Sequence, residues 1–340
     1  MKNILVTGAE GFIGSHLVEL LVKKKYNVKA LVFYNFSNSN GWLDHTHIKI
    51  RNKIEIVKGD VRDANFIEKI SKNVDCIINL AALIGIPYSY IAPSSYFETN
   101  SNGLLNILNS SNNNRVKKII HTSTSEVYGS GIYFPMDEKH PIQPQSPYAA
   151  SKAAADFIAL SYFKSFNTPV TILRPFNVFG PRQSDRAVIP TIISQLKNML
   201  DDSIYIGNIN TIREFNYVFD TIKAFELAIN NKNIIGKTIN IGNGFDKSIK
   251  EIIKILQTIS QTKKPIKIDT RRIRVDKSEV IKLKSNSNLA KKYLGWKAEC
   301  NNYQRFSQAL KETFAWYKEN NFDKELSTSK DYVIWFCKIA

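Results

Sequence analysis

The chain has 340 residues, 43% of them hydrophobic, and a formal net charge of +17. A chain of this length can bury a large core and is expected to divide into two lobes. It contains no apolar run of the ~20 residues that cross a bilayer, and it begins with a predicted strand instead of a signal peptide. We therefore expect a cytoplasmic protein without a membrane segment.

The positive charge does not predict a nucleic-acid partner. Lys and Arg are dispersed along the chain, and aromatic residues do not alternate with them as in a single-strand binding groove. A solvated basic surface is the simpler interpretation, and its field would attract an anionic substrate.

Cys76, Cys300 and Cys337 are far apart and form no C-x-x-C pair. Neither a disulfide framework nor a metal site is indicated.

The first predicted elements are a strand, a glycine turn and a helix. Residues 1–7 are largely aliphatic or β-branched, Gly8, Gly11 and Gly14 follow, and apolar residues then recur at helical spacing as far as Lys25. Glycine allows the backbone to approach a pyrophosphate, and a helix N-terminus offers free N–H groups with a partial positive charge. This context predicts a dinucleotide site.

Further strands are predicted from continuous apolar or β-branched runs separated by helical stretches. Such runs are typical of a parallel sheet that is covered on both faces. Functional groups are expected at the carboxyl ends of these strands, where Asn79, Thr124 and Asn177 occur. The runs are 28–33, 54–58, 76–80, 118–123 and 170–174.

The predicted fold class is α/β, a Rossmann-type doubly wound parallel sheet with a smaller α/β substrate-binding lobe. We assign 1–178 to the dinucleotide-binding domain, to which 220–245 returns. The substrate lobe comprises 179–219 and 246–330. The apolar tail at 331–340 is too short to span a membrane, and we expect it to dock on the body of the protein or on a partner.

Tyr148 and Lys152 form the second candidate site. They lie four residues apart in a helix that Ser146 and Pro147 are predicted to start, so both point to one face. An ammonium group near a phenol would lower the pKa of the phenol, as acid–base catalysis near neutrality requires. Taken alone, the pair could equally be an ordinary helix-surface pair.

The G-x-x-G-x-x-G turn and Tyr148-x-x-x-Lys152 together resemble the extended short-chain dehydrogenase/reductase family. Asn100 in a predicted helix also fits. The likeness continues at 59–63, 79–82, 174–182, 213–220 and 240–244.

The resemblance implies that Tyr148 removes the proton of a sugar 4-hydroxyl while hydride leaves carbon 4. Lys152 would also hold the nicotinamide ribose, and Thr124 would bind the same sugar oxygen. Asp60 and Val61 would flank the adenine. The implied cofactor-binding residues are Gly8, Gly11, Phe12, Ile13, Gly14, Asp60, Val61, Leu80, Ala81, Ala82, Tyr148 and Lys152.

Glu126 indicates the reaction type. Thr124-Ser125-Glu126 resembles the corresponding sequence of sugar-nucleotide 4,6-dehydratases. A ketone at carbon 4 makes the carbon 5 proton acidic, and a carboxylate can act as its base. Glucose-type dehydratases carry Asp where this chain has Ser125, so the proton for the departing hydroxyl would come from Glu126, directly or through water.

Other reactions of the same family are alternatives. UDP-glucuronate decarboxylases share Ser-Thr-Ser-Glu-Val-Tyr-Gly, and 4-epimerases share the Tyr and Lys. The stretches 182–190, 274–280 and 41–44 look most like the NDP-N-acetylglucosamine 4,6-dehydratases of legionaminic-acid-type pathways, which favours a dehydratase. A catalytically inactive nucleotide sensor or RNA-binding relative is less consistent with an intact Tyr148, Lys152 and Glu126.

The substrate and cofactor predictions come from the same resemblance. Arg213 and Arg274 match the diphosphate positions, where guanidinium groups bind well, and Asn177 and Val188 are further substrate-binding candidates. Val275 replaces the usual Pro after the second arginine. NAD is the expected cofactor, but NADP stays possible because 30–35 contains neither an acidic residue nor an Arg. We expect a homodimer formed through the helices near Asn100 and Tyr148.

Overall fold

The structure is a computed structural model that describes residues 1–274 and 276–320. Val275 and the predicted tail at 331–340 lie outside the described residues, as does the end of the predicted substrate lobe. In chain order the strands are β1 (Asn3–Thr7), β2 (Asn27–Phe33), β3 (Ile54–Gly59), β4 (Cys76–Asn79), β5 (Lys118–Thr122), β6 (Val170–Pro175), β7 (Val178–Phe179), β8 (Ile204–Ile206), β9 (Ile212–Glu214), β10 (Asn216–Tyr217), β11 (Thr238–Ile241), β12 (Asp246–Ser248) and β13 (Ile266–Ile268).

The α-helices are α1 (Phe12–Lys23), α2 (Ile48–Arg51), α3 (Ala64–Ile70), α4 (Ile86–Ile91), α5 (Pro93–Tyr96), α6 (Gly103–Asn113), α7 (Pro147–Phe166), α8 (Val188–Lys197), α9 (Val218–Ile229), α10 (Ile249–Ser260) and α11 (Tyr303–Glu319). Short 3₁₀ or π segments cover Gly41–His45, Phe97–Asn102, Ser125–Tyr128, Lys232–Ile234, Thr270–Arg272, Asp276–Ser278 and Ala290–Leu294. Among the described residues, no helix combines the length and apolar character that a bilayer crossing needs.

Seven parallel strands form the central sheet in the order β3-β2-β1-β4-β5-β6-β11. Alternate residues of a strand pack on opposite faces: Ile4 belongs to one hydrophobic cluster and Leu5 to another. Both faces are therefore covered, which explains the continuous apolar runs in the sequence. The five predicted strands after the first agree with observed ones to within one residue at either end, whereas β1 begins at Asn3, two residues after the start of the predicted run 1–7. The Rossmann-type doubly wound sheet is confirmed.

Sequence signals at the helix ends are largely confirmed. The Ser146 side chain accepts a hydrogen bond from Ala149 N at 3.1 Å, and Pro147 is the first residue of α7. The helix after the glycine turn ends at Lys23, earlier than the predicted Lys25. Lys25 has a φ of 64°, a left-handed conformation that ends helical hydrogen bonding.

A smaller set of short strands and helices does not belong to the central sheet or to the helices that cover it. It contains three two-stranded sheets, β7 with β10, β8 with β13 and β9 with β12, together with α8, α10 and α11. Ile249, Ile252, Ile253 and Leu256 form the buried face of the amphipathic α10, which packs on α8 and α11. Between these elements the chain returns to the main sheet, where β11 pairs with β6. The antiparallel pair β9–β12 carries Arg213.

Candidate active site

The glycine turn between β1 and α1 is tightly packed on one side and open on the other. A Cβ on Gly8, whose φ is 64°, would lie 2.8 Å from Ala81 N, and one on Gly14 would lie 2.1 Å from the Gly8 carbonyl oxygen. A Cβ on Gly11 would meet only that carbonyl oxygen, at 3.4 Å. Within α1, no side chain caps the N-terminus and the first turn is free of acidic residues. This end of α1 can therefore bind an anion such as a pyrophosphate.

The other predicted cofactor residues surround this turn. Phe12 and Ile13 open α1 and are half-buried. The backbone of Leu80 and Ala81 is anchored to Thr7, through N–H bonds of 3.2 Å and 3.1 Å to its carbonyl oxygen and hydroxyl, and Ala82 follows. The structure thus brings the turn and 80–82 together at one edge of the sheet.

Asp60 and Val61 follow β3 at the same edge. Burial would raise the pKa of Asp60, but hydrogen bonds from Arg62, the shortest 2.5 Å, outweigh it and lower that pKa. Val61 is buried against Gly103, where an added Cβ would lie 2.9 Å from its Cγ2. Asp60 is therefore an ionised carboxylate already held by its neighbour.

Tyr148 and Lys152 lie on the buried face of α7, with 9% and 4% of their surface exposed. The Lys152 ammonium donates to the carbonyl oxygen of Thr122, at the end of β5, at 2.5 Å. The Thr124 hydroxyl shares a hydrogen bond with Tyr148 and accepts another from Glu126 N at 3.2 Å. The predicted Tyr, Lys, Thr and Glu are therefore one cluster.

The expected lowering of the Tyr148 pKa is not found in this structure. Burial raises the pKa of Tyr148, the Thr124 hydrogen bond opposes this, and the charge of Glu126 adds to it. Burial also lowers the pKa of Lys152 to about 8, against the opposing charge of Asp156. The Lys152 ammonium itself donates to the Thr122 carbonyl oxygen. Near neutral pH, Tyr148 is accordingly a protonated phenol.

Glu126 and the two predicted diphosphate-binding arginines form a second part of the cluster. Glu126 is 8% exposed, and its Oε2 lies 3.8 Å from Nη1 of Arg274. Arg213 donates to the carbonyl oxygens of Ile212 and Ile281, at 3.0 Å and 3.2 Å. Burial lowers the Arg213 pKa; the carboxylate of Glu126 opposes this and the charge of Arg274 adds to it. Arg213 also pairs with Glu279 at 3.4 Å, so two carboxylates and two guanidinium groups lie together in a partly buried cluster.

Ser125, Asn177 and Val188 are the remaining predicted site residues. Ser125 is buried beside Glu126. Asn177 follows β6, where its carbonyl oxygen accepts from Asn216 N at 2.7 Å and its side-chain oxygen is buried without a hydrogen-bond partner among the described residues. Val188 is the first residue of α8 and packs against the main hydrophobic core.

Asp156 is a site residue that the sequence interpretation missed. It follows Lys152 by four residues, just as Lys152 follows Tyr148, so the spacing was a usable signal. Its Oδ2 accepts hydrogen bonds from Arg174 Nη2 and Ser123 Oγ, both at 2.6 Å. The charge of Asp156 raises the pKa of Lys152, against the larger lowering that burial causes.

A row of buried polar side chains crosses the carboxyl ends of the central strands. Thr7 donates to Asn79 at 2.7 Å, and Asn79 lies 3.3 Å from Nδ1 of His121. Nε2 of His121 is 3.6 Å from Asp156. Burial, with the charges of Lys152 and Arg174, holds the pKa of His121 well below its usual value. A neutral imidazole therefore lies between Asn79, next to the glycine-turn strand, and Asp156 on α7.

The parallel Rossmann sheet, the glycine turn on its first strand and the buried Tyr-Lys pair define an extended short-chain dehydrogenase/reductase. Residues 5–312 match the family described as GDP-mannose 4,6 dehydratase, and the chain belongs to this family. The predicted family resemblance is confirmed.

Relatives carry out related reactions. The dTDP-D-glucose 4,6-dehydratase of Bos taurus is 30% identical over 323 residues, covering 94% of this chain and 89% of that protein. The UDP-N-acetyl-alpha-D-glucosaminuronate decarboxylase of Bacillus cytotoxicus is 32% identical over 329 residues, covering 94% and 98%. The solved DesIV dTDP-glucose 4,6-dehydratase from Streptomyces venezuelae, with NAD and TYD bound, superposes with a TM-score of 0.84 at 28% identity, covering 94% and 97%.

Proposed function

We propose that the protein is an NDP-hexose 4,6-dehydratase, which converts a nucleotide-activated hexose to its 4-keto-6-deoxy derivative. The observation that carries this proposal is the position of Glu126. Its carboxylate is buried next to the Tyr148–Thr124 pair and also faces Arg274. A base for carbon 5 is thus available beside the group that would deprotonate the 4-hydroxyl and the groups that would bind a diphosphate.

NAD is the proposed cofactor, and the residues present fit it. The close packing of Gly8 and Gly14, the open side of Gly11 and the uncapped N-terminus of α1 suit a pyrophosphate. Lys152 is placed to hold the nicotinamide ribose. When bound, NAD supplies the acceptor for hydride from carbon 4 and returns that hydride to carbon 6.

Tyr148 is the proposed acid–base group at the 4-hydroxyl. Its raised pKa means that the phenol holds its proton until positive charge favours the phenolate. Lys152, one helical turn along α7, supplies such a charge, and Asp156 a further turn along helps to keep Lys152 protonated. Thr124 orients the Tyr148 hydroxyl.

Glu126 is the proposed base at carbon 5. It takes the carbon 5 proton, the carbon 6–oxygen bond breaks, and the departing hydroxyl receives a proton from Glu126, directly or through water. The product of this step is an enone, and carbon 5 regains a proton from solvent when hydride reaches carbon 6. Ser125 cannot replace the acid of glucose-type relatives, since a hydroxyl is a far weaker acid than a carboxyl.

Arg213 and Arg274 are the proposed diphosphate ligands. In the free protein, Arg274 faces the carboxylate of Glu126 at 3.8 Å, and its Nη1 forms no hydrogen bond with any described residue. A diphosphate would compete with Glu126 for Arg274. Substrate binding is thereby expected to release the base for its reaction. Asn177 and Val188 are the remaining proposed substrate contacts, and the proposed sugar is N-acetylglucosamine, glucose or mannose.

Product masses test the proposal against the two related reactions. The protein is incubated with NAD and a panel of UDP-, dTDP-, GDP- and CDP-hexoses, N-acetylhexosamines and uronic acids. Loss of one water molecule supports the dehydratase. Loss of carbon dioxide would identify a decarboxylase, and an isomer of unchanged mass an epimerase. Glu126→Gln is expected to block water loss yet still reduce the cofactor, whereas water loss at the normal rate would contradict its role as base.

We also propose a homodimer formed through α6, α7 and the segment before α6. Phe97 and Phe157 are 40% and 57% exposed on these neighbouring helices. Exposed aromatic rings on packed helices suit a subunit interface. Phe157→Glu should convert a dimer to a monomer in size-exclusion chromatography with light scattering; a wild-type protein that elutes as a monomer at micromolar concentration would contradict the proposal.

The lobe boundaries given above are proposed for the same chain, with substrate bound between 1–178 and the elements beyond it. A cytoplasmic location is also proposed, in keeping with the free thiols of Cys76 and Cys300.

A further inference from the structure

The end of β2 lacks the side chain that normally selects NAD. In Rossmann proteins that bind NAD, an acidic residue near this point binds the adenosine ribose hydroxyls, and an Arg accommodates the 2′-phosphate of NADP. Here β2 ends at Phe33, and Tyr34 and Asn35 follow. The end of β2 therefore offers no charged side chain for this discrimination.

Glu10, in the glycine turn, reaches this position. Its Oε1 accepts a hydrogen bond from Phe33 N, at the last residue of β2, at 3.0 Å. The turn is bound to the same strand by Ala9 N, which donates to the Leu31 carbonyl oxygen at 3.2 Å. The Glu10 carboxylate therefore lies where the acidic residue of β2 is otherwise found.

The second carboxylate oxygen of Glu10 has no hydrogen-bond partner within 1–274 and 276–320. Its Oε2 is buried and forms no hydrogen bond with any described residue, and the same holds for Oδ1 of Asn40. The two residues are close, because Trp42 N donates to the Glu10 carbonyl oxygen at 3.0 Å and a Cβ on Gly41 would lie 2.9 Å from Glu10 Cβ. Both oxygens are acceptors, the kind of group that binds the hydroxyl donors of a ribose.

We infer that Glu10 binds the adenosine ribose hydroxyls and excludes the 2′-phosphate of NADP; this inference rests on the proposed nicotinamide-dependent function. A carboxylate accepts from a hydroxyl but would repel a phosphate dianion. Burial raises the pKa of Glu10, and the backbone hydrogen bond from Phe33 opposes this and favours the ionised form. The Lys58 ammonium on β3 donates to the carbonyl oxygen of Asn38 at 2.6 Å and forms no ion pair with Glu10 among the described residues. Glu10 is therefore the selecting residue of the dinucleotide site.

Glu10→Gln tests the inference, since the amide keeps the size of the side chain and an oxygen to accept from Phe33 N but removes the charge. Calorimetry on nucleotide-free protein measures Kd for NAD and for NADP, without any sugar substrate. We expect the wild type to prefer NAD and the variant to lose roughly tenfold to a hundredfold of that preference, mainly through tighter NADP binding. Glu138→Gln is the matched control, because Glu138 is also a partly buried carboxylate that accepts a backbone N–H, from Asn240 at 2.7 Å.

The outcomes separate this inference from the proposed reaction. An unchanged preference in Glu10→Gln, or a wild type that binds NADP as tightly as NAD, would overturn the role of Glu10 and leave the dehydratase proposal intact. Conversely, the wild type and Glu10→Gln could show the expected difference in NAD preference while no sugar nucleotide is turned over. That result would overturn the dehydratase proposal and leave the role of Glu10 intact. If Glu10→Gln does not fold, Glu10→Asp keeps the charge on a shorter side chain. It should bind NAD more weakly yet still reject NADP, and NADP acceptance by this variant would overturn the inference.

Discussion

Removing the charge of Asp156 should destabilise the protein strongly. Asp156 and Arg174 are 1% and 2% exposed, and their ion pair is 2.6 Å long. The same carboxylate oxygen also accepts from Ser123 at 2.6 Å. Breaking a buried pair by removing one partner costs about 3–5 kcal/mol, because the other charge stays buried without compensation. For a chain of 340 residues, that loss lowers Tm by about 4–7 °C.

A double-mutant cycle measures the coupling between the two side chains. Asp156→Asn, Arg174→Met and the double variant are compared with the wild type by urea unfolding followed by circular dichroism. The double variant should be less destabilised than the sum of the single variants by about 2 kcal/mol or more. Two results would refute the argument that the Asp156–Arg174 pair stabilises the fold. One is that the changes in free energy of unfolding of the two single variants add up to that of the double variant. The other is a loss below about 1 kcal/mol in Asp156→Asn.

Two further predictions concern the glycine turn and a buried lysine. Gly14→Ala should abolish NAD binding in calorimetry, because its Cβ would lie 2.1 Å from a backbone oxygen; wild-type affinity would contradict this. Burial lowers the pKa of Lys118 to about 8, below its unfolded value of about 10.4. The folded state then binds fewer protons between these values, so stability rises with pH there. Relative to Lys118→Met, the wild type should gain stability from pH ~8 to ~10 in urea unfolding; a constant difference would contradict this.

The sheet and the glycine turn were predictable because their signals are local. Each strand is a continuous apolar run, and the start of α7 is marked by Ser146 and Pro147. The end of α1 was not predicted correctly, because the left-handed conformation of Lys25 depends on how the chain turns back into β2.

The site was predictable in its residues but not in its electrostatics. The pKa of Tyr148 depends on burial, and the position of the Lys152 ammonium depends on the Thr122 carbonyl, so spacing in one helix could not reveal either. The same reason applies to Glu10, whose role follows from a contact with Phe33 across two chain segments. Tertiary contacts determine these properties, and a single sequence does not display them.

The central claim is that Glu126 removes the carbon 5 proton and water leaves from carbon 6. Turnover of the active sugar nucleotide in deuterium oxide tests this most directly, with the product analysed by mass spectrometry and NMR. We predict a product that has lost one water molecule and carries one solvent deuterium, at carbon 5, with the carbon 4 hydrogen recovered at carbon 6. A product that has lost water without deuterium at carbon 5, or one formed at the wild-type rate by Glu126→Gln, would contradict the account.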